Sequence, residues 1–159
     1  MVGADLAIGL RPVTRDNVRE ALRLKVAPEQ EEYVAPNTYS LAEAACEPGM
    51  APFLAYDDET PVGFAMLEHW TEGGQWWVAR LMVGIDHRRQ GYGRAIIKAL
   101  IARVRDEHGA PALFTSYVPE NAGAAALYAA LGFVPTGEME DGEIVVRHPL
   151  AGPSGRSLN

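Results

Sequence analysis

The sequence predicts a mixed α/β domain in which strands and helices are interspersed around one core. Its 159 residues and 48% hydrophobic content suit a single globular core. Seven stretches have the pattern of strands and four that of helices, in the order β-α-α-β-β-β-α-β-α-β-β. In the middle, a strand, a glycine-containing loop and a long amphipathic helix form a crossover. These observations place one domain over residues 1–150, and we expect the small, polar residues 151–159 to form a flexible tail.

The first part of the chain contributes a strand and a helix. Leu6 to Arg11 has the pattern of a short strand, and Pro12 ends it. Either Thr14 or Asp16 can cap the helix that follows, and Pro28 stops it.

A capping box predicts the second helix. Ser40-Leu41-Ala42-Glu43 has the required spacing, because the serine can accept from the third helical amide while Glu43 reaches back. A short helix should therefore run from Leu41 to about Cys46.

Three strands are expected next. Pro52 to Tyr56 and Val62 to Trp70 flank a polar, proline-containing turn, which is typical of two neighbouring strands. Gly73-Gly74 breaks the chain again, and Trp76 to Ile85 forms a strand rich in tryptophan and valine.

The second half continues with alternating helices and strands. Gly91 to His108 is a long amphipathic helix that Gly109 stops. Ala112 to Val118 is an apolar run of strand length, and Ala122 to Leu131 is an alanine-rich helix ended by Gly132.

A hairpin closes the domain. Phe133 to Met139 and Glu143 to Leu150 flank Asp141-Gly142, which is a strong signal for a two-residue hairpin turn.

Charge and cysteine content limit the class of protein. The net charge of −7 argues against nucleic-acid binding, which needs a basic face. No apolar run reaches the roughly 20 residues needed to span a bilayer, and the N-terminus lacks a signal-peptide pattern. Cys46, the single cysteine, cannot form an intramolecular disulfide. We therefore expect a cytoplasmic protein with no membrane or nucleic-acid partner.

The basic residues concentrate in the middle of an otherwise acidic chain. Residues 80–105 carry a net charge of +6, whereas residues 1–75 carry −8 and residues 106–159 carry −5. This distribution predicts an anionic ligand at the basic block and favours a cationic ligand facing the acidic parts.

The segment from Arg88 to Arg94 has the properties of a phosphate-binding loop. A helix N-terminus presents unpaired amides and a partial positive charge of about half a unit, which attract phosphate. Gly91 and Gly93 let a ligand approach the backbone, and Arg89 adds to the charge of the flanking arginines. We expect this loop to bind a pyrophosphate; the alternative is that the glycines only make a tight turn.

Two other phosphate-binding motifs fit poorly. A dinucleotide-binding fingerprint needs a third glycine where Ile96 stands, and an acidic residue where the next strand ends in Tyr117 and Val118. A P-loop needs a Gly-Lys-Ser/Thr triplet, which the sequence lacks.

Two motifs resemble the signatures of the GNAT superfamily of N-acetyltransferases. Arg88-x-x-Gly91-x-Gly93 is similar to the first signature, Gln/Arg-x-x-Gly-x-Gly/Ala. A later segment is similar to the second signature of the family; it contains Asn121, Ala125, Leu127-Tyr128 and Leu131-Gly132-Phe133. The element order agrees from about Leu6 to Leu150. The resemblance implies a mixed, mostly antiparallel central sheet of about seven strands flanked by about four helices. It also implies acetyl-CoA as co-substrate, with no metal.

The resemblance assigns CoA-binding roles along the chain. The fourth strand and its end would pair with the pantetheine arm through Met82, Val83, Gly84 and Ile85. The pyrophosphate would be bound by Arg88, Arg89, Gln90, Gly91, Tyr92, Gly93, Arg94 and Ala95. The pantetheine would also contact Asn121 and Ala124, and Tyr128 would stand beside the thioester sulfur.

The chemistry of Tyr128 suits that position. A thiol has a pKa near 8.5 against about 10 for tyrosine, so a neutral tyrosine can protonate the departing thiolate. The alternative is an aromatic that only covers the core. The proton of the attacking amine can go to Glu68, His69 or Glu32, and we prefer the first two because they lie on the strand facing the expected cleft. Cys46 lacks a motif for a covalent acetyl-enzyme, so we expect direct transfer within a ternary complex.

The segment from Leu24 to Glu43 resembles the N-terminal region of bacterial spermine/spermidine acetyltransferases, which implies a polyamine acceptor. Glu29, Glu31 and Glu32 beside Tyr33 would attract a flexible polycation by charge and cation–π contact. The alternative for the individual glutamates is a solvated acidic loop. Aminoglycosides and peptide amines stay open as acceptors.

Two further classes of function stay open. A non-catalytic acyl-CoA sensor would keep the phosphate-binding loop and lose the transfer chemistry, but the presence of Tyr128 counts against it. A ligand-free interaction domain is disfavoured by the arginine cluster. Trp70, Trp76 and Trp77 cover either the core or a partner surface, so a homodimer is also open.

Overall fold

The computed structural model describes residues 6–150, and there the elements follow the predicted order. The strands are β1 Gly9–Pro12, β2 Met50–Asp57, β3 Thr60–His69, β4 Trp76–Val83, β5 Ala112–Tyr117, β6 Val134–Glu140 and β7 Glu143–Pro149. The α-helices are α1 Val18–Arg23, α2 Asn37–Cys46, α3 Tyr92–His108 and α4 Ala122–Ala130. The tail predicted at 151–159 lies outside the described residues. None of the helices in 6–150 has the length and apolar character to cross a membrane.

The seven strands form one sheet in the order β1-β2-β3-β4-β5-β7-β6. Every neighbouring pair is antiparallel except β4 and β5, which run parallel. Parallel neighbours need a crossover connection, and α3 supplies it. The mixed, mostly antiparallel sheet that the family resemblance implied is therefore confirmed.

The parallel pair separates soon after it begins. β4 and β5 pair only at Trp76 with Leu113 and at Trp77 with Phe114. At the point of separation, the Thr115 hydroxyl donates to the Val78 carbonyl at 3.1 Å. Beyond this bond, the facing edges of the two strands have no ladder partner, so the sheet opens into a cleft.

Two hydrophobic clusters cover opposite faces of the sheet. The larger holds the apolar side of α3, including Ile96 and Leu100, together with Tyr128 of α4. The smaller holds Ala21 of α1 and packs against Leu41 of α2. Because successive strand residues face opposite sides, each strand side chain can be assigned to the α1–α2 face or the α3–α4 face.

The predicted capping box is wrong. α2 begins at Asn37, and Ser40 is a fully buried residue inside the helix rather than its cap. The Asn37 side chain donates to the Ala21 carbonyl at 2.8 Å, a tertiary bond that ties the helix start to α1. Glu43, the other half of the predicted box, forms an ion pair with Arg80 at 3.6 Å.

The bounds predicted for the first helix also differ. α1 ends at Arg23, five residues before Pro28, which starts a short 3-10 turn instead. Asn17 occupies the N-cap position of α1, and its side chain accepts from the Thr14 amide at 2.8 Å, so Thr14 belongs to the preceding turn.

The hairpin turn predicted at Asp141-Gly142 and the helix end predicted at Gly109 are confirmed. Asp141 and Gly142 have φ values of 47° and 81°, and two positive φ values are what a type I′ hairpin turn requires. Gly109 ends α3 in the left-handed region at φ 60°.

Candidate active site

The separated ends of β4 and β5 open into a cleft of about 1130 Å³. Its walls come from these strands, the start of α3, the helix α4, residues 30–36 and the β6–β7 turn. Sites for drug-sized ligands usually measure about 300–1,000 Å³. The cleft therefore has room for a large cofactor together with a second ligand.

The predicted phosphate-binding loop has the backbone geometry for its role. Gly91 is the N-cap of α3 at φ 84°, and Arg89 is also left-handed at φ 61°. Within the described residues, the amides of residues 90–94 have no hydrogen-bond acceptor. Ala95 carries the first bonded amide, which donates to the Gly91 carbonyl at 3.1 Å. Five consecutive free amides at a helix N-terminus can bind an anion, and of the backbone amides predicted for this role only that of Ala95 is already bonded.

The three predicted arginines do not share one environment. Arg89 and Arg94 line the cleft, and neither forms a salt bridge within residues 6–150. Arg88 lies outside the lining and pairs with Glu29, with 2.7 Å between Nη1 and Oε1. This pair joins a residue predicted for the cofactor to one predicted for the acceptor, and the structure brings neither into the cleft.

Gly93 and Tyr92 contribute backbone rather than side chains. A Cβ atom added at Gly93 would make ordinary 3.8 Å contacts with Leu127 and Val83, so the packing of the protein does not itself require glycine there. The Tyr92 ring is buried, and its hydroxyl donates to the Asp57 carboxylate at 2.5 Å. That bond, followed by burial, raises the pKa of Tyr92.

The end of β4 supplies a shorter edge than predicted. Met82 and Val83 line the cleft, whereas Gly84 and Ile85 do not. The amides of Gly84 and Ile85 already donate to backbone carbonyls elsewhere in the fold, at 2.9 and 2.7 Å. The part of the predicted pantetheine edge that faces the cleft therefore ends at Val83.

Asn121 caps α4 and also lines the cleft. Its Oδ1 accepts from the amide of Ala124, another lining residue, at 3.1 Å. The cap uses the side-chain oxygen, so the Nδ2 group remains available as a donor.

Tyr128 sits where the two strands separate. Its ring stacks on Tyr117 with 6.2 Å between centroids and meets the edge of Phe133 at 5.2 Å, and only 6% of the residue is exposed. Burial is the main cause that raises the pKa of Tyr128 to about 12; the charge of Glu143 acts in the same direction, and a hydrogen bond with Thr115 opposes it. A tyrosine with this pKa stays protonated throughout the physiological range and can serve as a proton donor.

Some of the residues predicted to bind or deprotonate the acceptor line the cleft, and others lie outside it. Glu32, Tyr33 and Glu68 line the cleft. Burial, and then the neighbouring Glu32, raise the pKa of Tyr33. His69 lies outside the lining, and its ring stacks on Trp76 at 4.5 Å. Of the two candidate bases preferred from the sequence, only Glu68 therefore reaches the cleft.

Sequence reasoning missed two groups of lining residues. The Ser116 hydroxyl donates to Glu143 across β5 and β7 at 2.6 Å. Trp70 and Trp77 stack at 4.7 Å beside Glu68 in the cleft wall. The alternating pattern of β7 puts Glu143 on the α1–α2 face, but no sequence signal identifies β5 as its neighbour.

The cleft lining carries charges of both signs on different segments. Arg89 and Arg94 belong to the phosphate-binding loop, whereas the lining carboxylates come from residues 30–36, the end of β3 and the β6–β7 hairpin: Glu31, Glu32, Glu68, Glu140, Asp141 and Glu143. The remaining lining arginine, Arg80, forms an ion pair with Glu43. Among residues 6–150, no three His, Cys, Asp or Glu side chains are grouped to hold a metal ion. We refer to the carboxylate-lined part as the acidic half; its field favours a cationic ligand.

Comparison with known families gives one match that spans most of the chain. The family described as acetyltransferase (GNAT) matches residues 17–133. The matched region contains the β4–α3 crossover, the phosphate-binding loop and Tyr128, whereas the cleft residues of the β6–β7 hairpin lie beyond it.

Relatives and solved structures agree with that match. The spermine/spermidine N(1)-acetyltransferase of Bacillus subtilis (strain 168) is 28% identical over 148 residues, which cover 89% of this chain and 97% of the relative. The spermidine N-acetyltransferase of Vibrio cholerae, solved with CoA and spermine, has a TM-score of 0.70 at 18% identity and covers 88% of this chain and 92% of that one. The ribosomal-protein-S18-alanine N-acetyltransferase of Escherichia coli has a TM-score of 0.68 at 20% identity, with 96% and 99% covered. At such identities the two structures establish the fold.

Proposed function

Since this chain belongs to the GNAT family of acetyltransferases, we propose that it transfers the acetyl group of acetyl-CoA directly to a primary amine of a polyamine such as spermine or spermidine. The observation that carries the proposal is the division of one cleft into a phosphate-binding half and an acidic half. A ternary complex fills both halves at once, so the thioester and the amine meet where β4 and β5 separate.

The phosphate-binding half would hold acetyl-CoA. Its pyrophosphate accepts hydrogen bonds from the free amides of residues 90–94, and Arg89 and Arg94 neutralise its charge. The pantetheine arm lies along the free edge of β4 near Met82 and Val83, with the Asn121 amide group and Ala124 on the opposite wall. This path leads toward Tyr128.

The transfer step needs a proton acceptor for the amine and a proton donor for the sulfur. A carboxylate of the acidic half, with Glu68 the candidate from the sequence, takes a proton from the acceptor ammonium. The neutral amine then attacks the thioester carbonyl carbon, a C–N bond forms, and the C–S bond breaks. Tyr128 gives its proton to the departing sulfur and recovers one from the amide nitrogen. CoA thiol and the N-acetylated amine leave the site.

The acidic half supports a polyamine more than a neutral or anionic acceptor. A flexible polycation carries several ammonium groups separated by methylenes, and the half offers carboxylates next to Tyr33, Trp70 and Trp77. Aromatic faces attract ammonium groups and also pack against methylenes. The relatives named as spermine/spermidine acetyltransferases support the same acceptor.

We expect Glu31→Gln combined with Glu32→Gln to raise the KM for spermine about five- to tenfold, because each exposed charge interaction contributes about 0.2–1 kcal/mol. Steady-state kinetics should show an unchanged KM for acetyl-CoA. Glu47→Gln, an exposed glutamate outside the cleft, is the matched control. Equal effects on both substrates would count against the 30–36 segment as part of the amine site.

A panel of acceptors tests the proposed substrate class. CoA thiol release is measured with polyamines, aminoglycosides and peptides at matched concentrations. We expect the highest kcat/KM with a polyamine. A clear preference for an aminoglycoside or a peptide would refute the polyamine proposal, and acetyl-CoA binding with no release for any amine would favour the sensor alternative.

A further inference from the structure

A row of three stacked aromatic rings begins in the acidic half, where Trp70 and Trp77 line the cleft, and continues behind the lining to Phe114, with a carboxylate near each end. Trp70 stacks on Trp77 at 4.7 Å, and Trp77 stacks on Phe114 at 5.3 Å. The three rings therefore continue across three neighbouring parts of the sheet: the end of β3, β4 and β5. Strand alternation places Trp77 and Phe114 on the α1–α2 face.

Glu143 marks the end of the row nearest the reacting atoms. The Ser116 hydroxyl holds its carboxylate at 2.6 Å, and Ser116 follows Phe114 by two residues on the same face of β5. The charge of Glu143 also contributes to the raised pKa of Tyr128, so the two groups lie within electrostatic reach. The acidic groups near Glu143 on the β6–β7 hairpin are its cross-strand partner Glu140 and the turn residue Asp141.

Glu68 marks the other end of the row. It pairs with Trp77 across β3 and β4 and precedes Trp70 by two residues. Its carboxylate lines the cleft, and among residues 6–150 it has no hydrogen bond or salt bridge. A half-buried carboxylate without a partner gains from a cationic ligand group, because nothing in the described chain neutralises it.

The two carboxylates are held on different strands of the sheet. Glu68 is on β3 and Ser116, which binds Glu143, is on β5, so two strand spacings of about 4.8 Å separate their backbones. This separation suits one ammonium group at each carboxylate. A chain of methylenes that crosses the aromatic row can connect two ammonium groups, one at each carboxylate.

We infer that Glu143, positioned by Ser116, receives the reacting ammonium and takes its proton, while Glu68 binds a second ammonium of the same acceptor across the Trp70–Trp77 pair. This inference rests on the proposed function and fixes the direction in which the polyamine lies. The proton passes from the nitrogen to the Glu143 carboxylate, the freed lone pair forms the C–N bond, and Glu143 later releases its proton to solvent. Tyr128 acts on the sulfur as described above.

The first test removes the proton acceptor. Glu143→Gln should lower kcat by about 10²- to 10³-fold with both spermine and butylamine, because butylamine has the reacting nitrogen and no second one. The loss should shrink as the pH approaches 10, where a primary amine with a pKa of about 10.4 supplies its own neutral form. Ser116→Ala should lower kcat about fivefold, as expected for a positioning residue that removes one hydrogen bond. Glu138→Gln, exposed on the same hairpin and outside the cleft, is the matched control.

The second test removes the distal carboxylate. Glu68→Gln should raise the KM for spermine at least tenfold and the KM for butylamine far less, because only spermine reaches Glu68 with a second ammonium. Melting temperatures with and without acetyl-CoA verify that each variant is folded and binds the cofactor. A large kcat loss with both amines in Glu68→Gln, beside a small one in Glu143→Gln, would reverse the assignment and overturn the inference.

The outcomes separate this inference from the proposed function. If the wild type acetylates spermine and Glu143→Gln has the same kcat as the wild type, the inference is overturned and the proposed function stands. A wild-type enzyme that uses a different primary amine and not spermine refutes the polyamine proposal and the role of Glu68. In that case the kcat of Glu143→Gln, measured with the amine that is used, decides the role of Glu143.

Discussion

Tyr128→Phe is expected to lower kcat about 10²- to 10³-fold while leaving the KM for acetyl-CoA within twofold. The substitution removes only the hydroxyl, so the departing thiolate loses its proton donor. The ring keeps its stacking on Tyr117 at 6.2 Å and its edge contact with Phe133 at 5.2 Å, so the packing around it is preserved. The initial rate of CoA thiol release at saturating amine and acetyl-CoA gives the kcat of each variant.

Tyr39→Phe is the matched control, because Tyr39 is 58% exposed on α2 and lies outside the cleft. The pH profile gives a second readout. Since the pKa of Tyr128 is raised to about 12, the protonated form persists far above neutral pH and is lost only in strong alkali. The wild-type kcat should therefore not fall between pH 7 and about 10. Unchanged turnover in Tyr128→Phe would exclude Tyr128 as the proton donor. A wild-type kcat that falls with rising pH below pH 10, with no such fall in Tyr128→Phe, would contradict the raised pKa of Tyr128.

Gly93→Asp is expected to raise the KM for acetyl-CoA at least 100-fold. The new carboxylate would stand in the first turn of α3, beside the free amides of residues 90–94, and would repel the pyrophosphate. The fold should tolerate it, because a Cβ at this position makes only 3.8 Å contacts and an acidic side chain in the first helical turn stabilises a helix by about 0.3–1 kcal/mol.

Thermal unfolding separates these two effects. Acetyl-CoA should raise the melting temperature of the wild type, because a ligand that binds only the folded state stabilises it. The Gly93→Asp variant should unfold no earlier than the wild type and show no shift with acetyl-CoA. Gly93→Ala, which adds the Cβ without a charge, should keep most of the shift. An equal shift in Gly93→Asp and the wild type would contradict the assignment of the pyrophosphate to this loop.

The parts of the site that the sequence predicted are those built from a local segment. The phosphate-binding loop depends on one strand-to-helix turn, and Gly91 forms that turn at φ 84° as expected from the motif. Tyr128 follows Asn121 by seven residues on a single helix, so the second motif places both on the same cleft wall. The hairpin at Asp141-Gly142 is equally local.

The parts that the sequence did not predict depend on contacts between distant segments. Ser116 and Glu143 meet only because β7 inserts between β5 and β6 in the sheet order. Helix α2 begins at Asn37, before the predicted capping box, and the Asn37 side chain donates to the carbonyl of Ala21, sixteen residues earlier. Arg88, which the resemblance assigned to the cofactor, instead pairs with Glu29, a residue 59 positions earlier in the chain. Hydrophobic periodicity and local motifs contain no information on such pairings.

Direct transfer requires that one cleft bring acetyl-CoA and a polyamine together. Mass spectrometry of the products, after incubation of the protein with acetyl-CoA and spermine, tests it most directly. We predict monoacetylated spermine formed in a one-to-one ratio with CoA thiol, no acetylated protein intermediate, and almost no product with Tyr128→Phe. Saturable binding of acetyl-CoA with no acetylated spermine at any protein concentration would contradict the account.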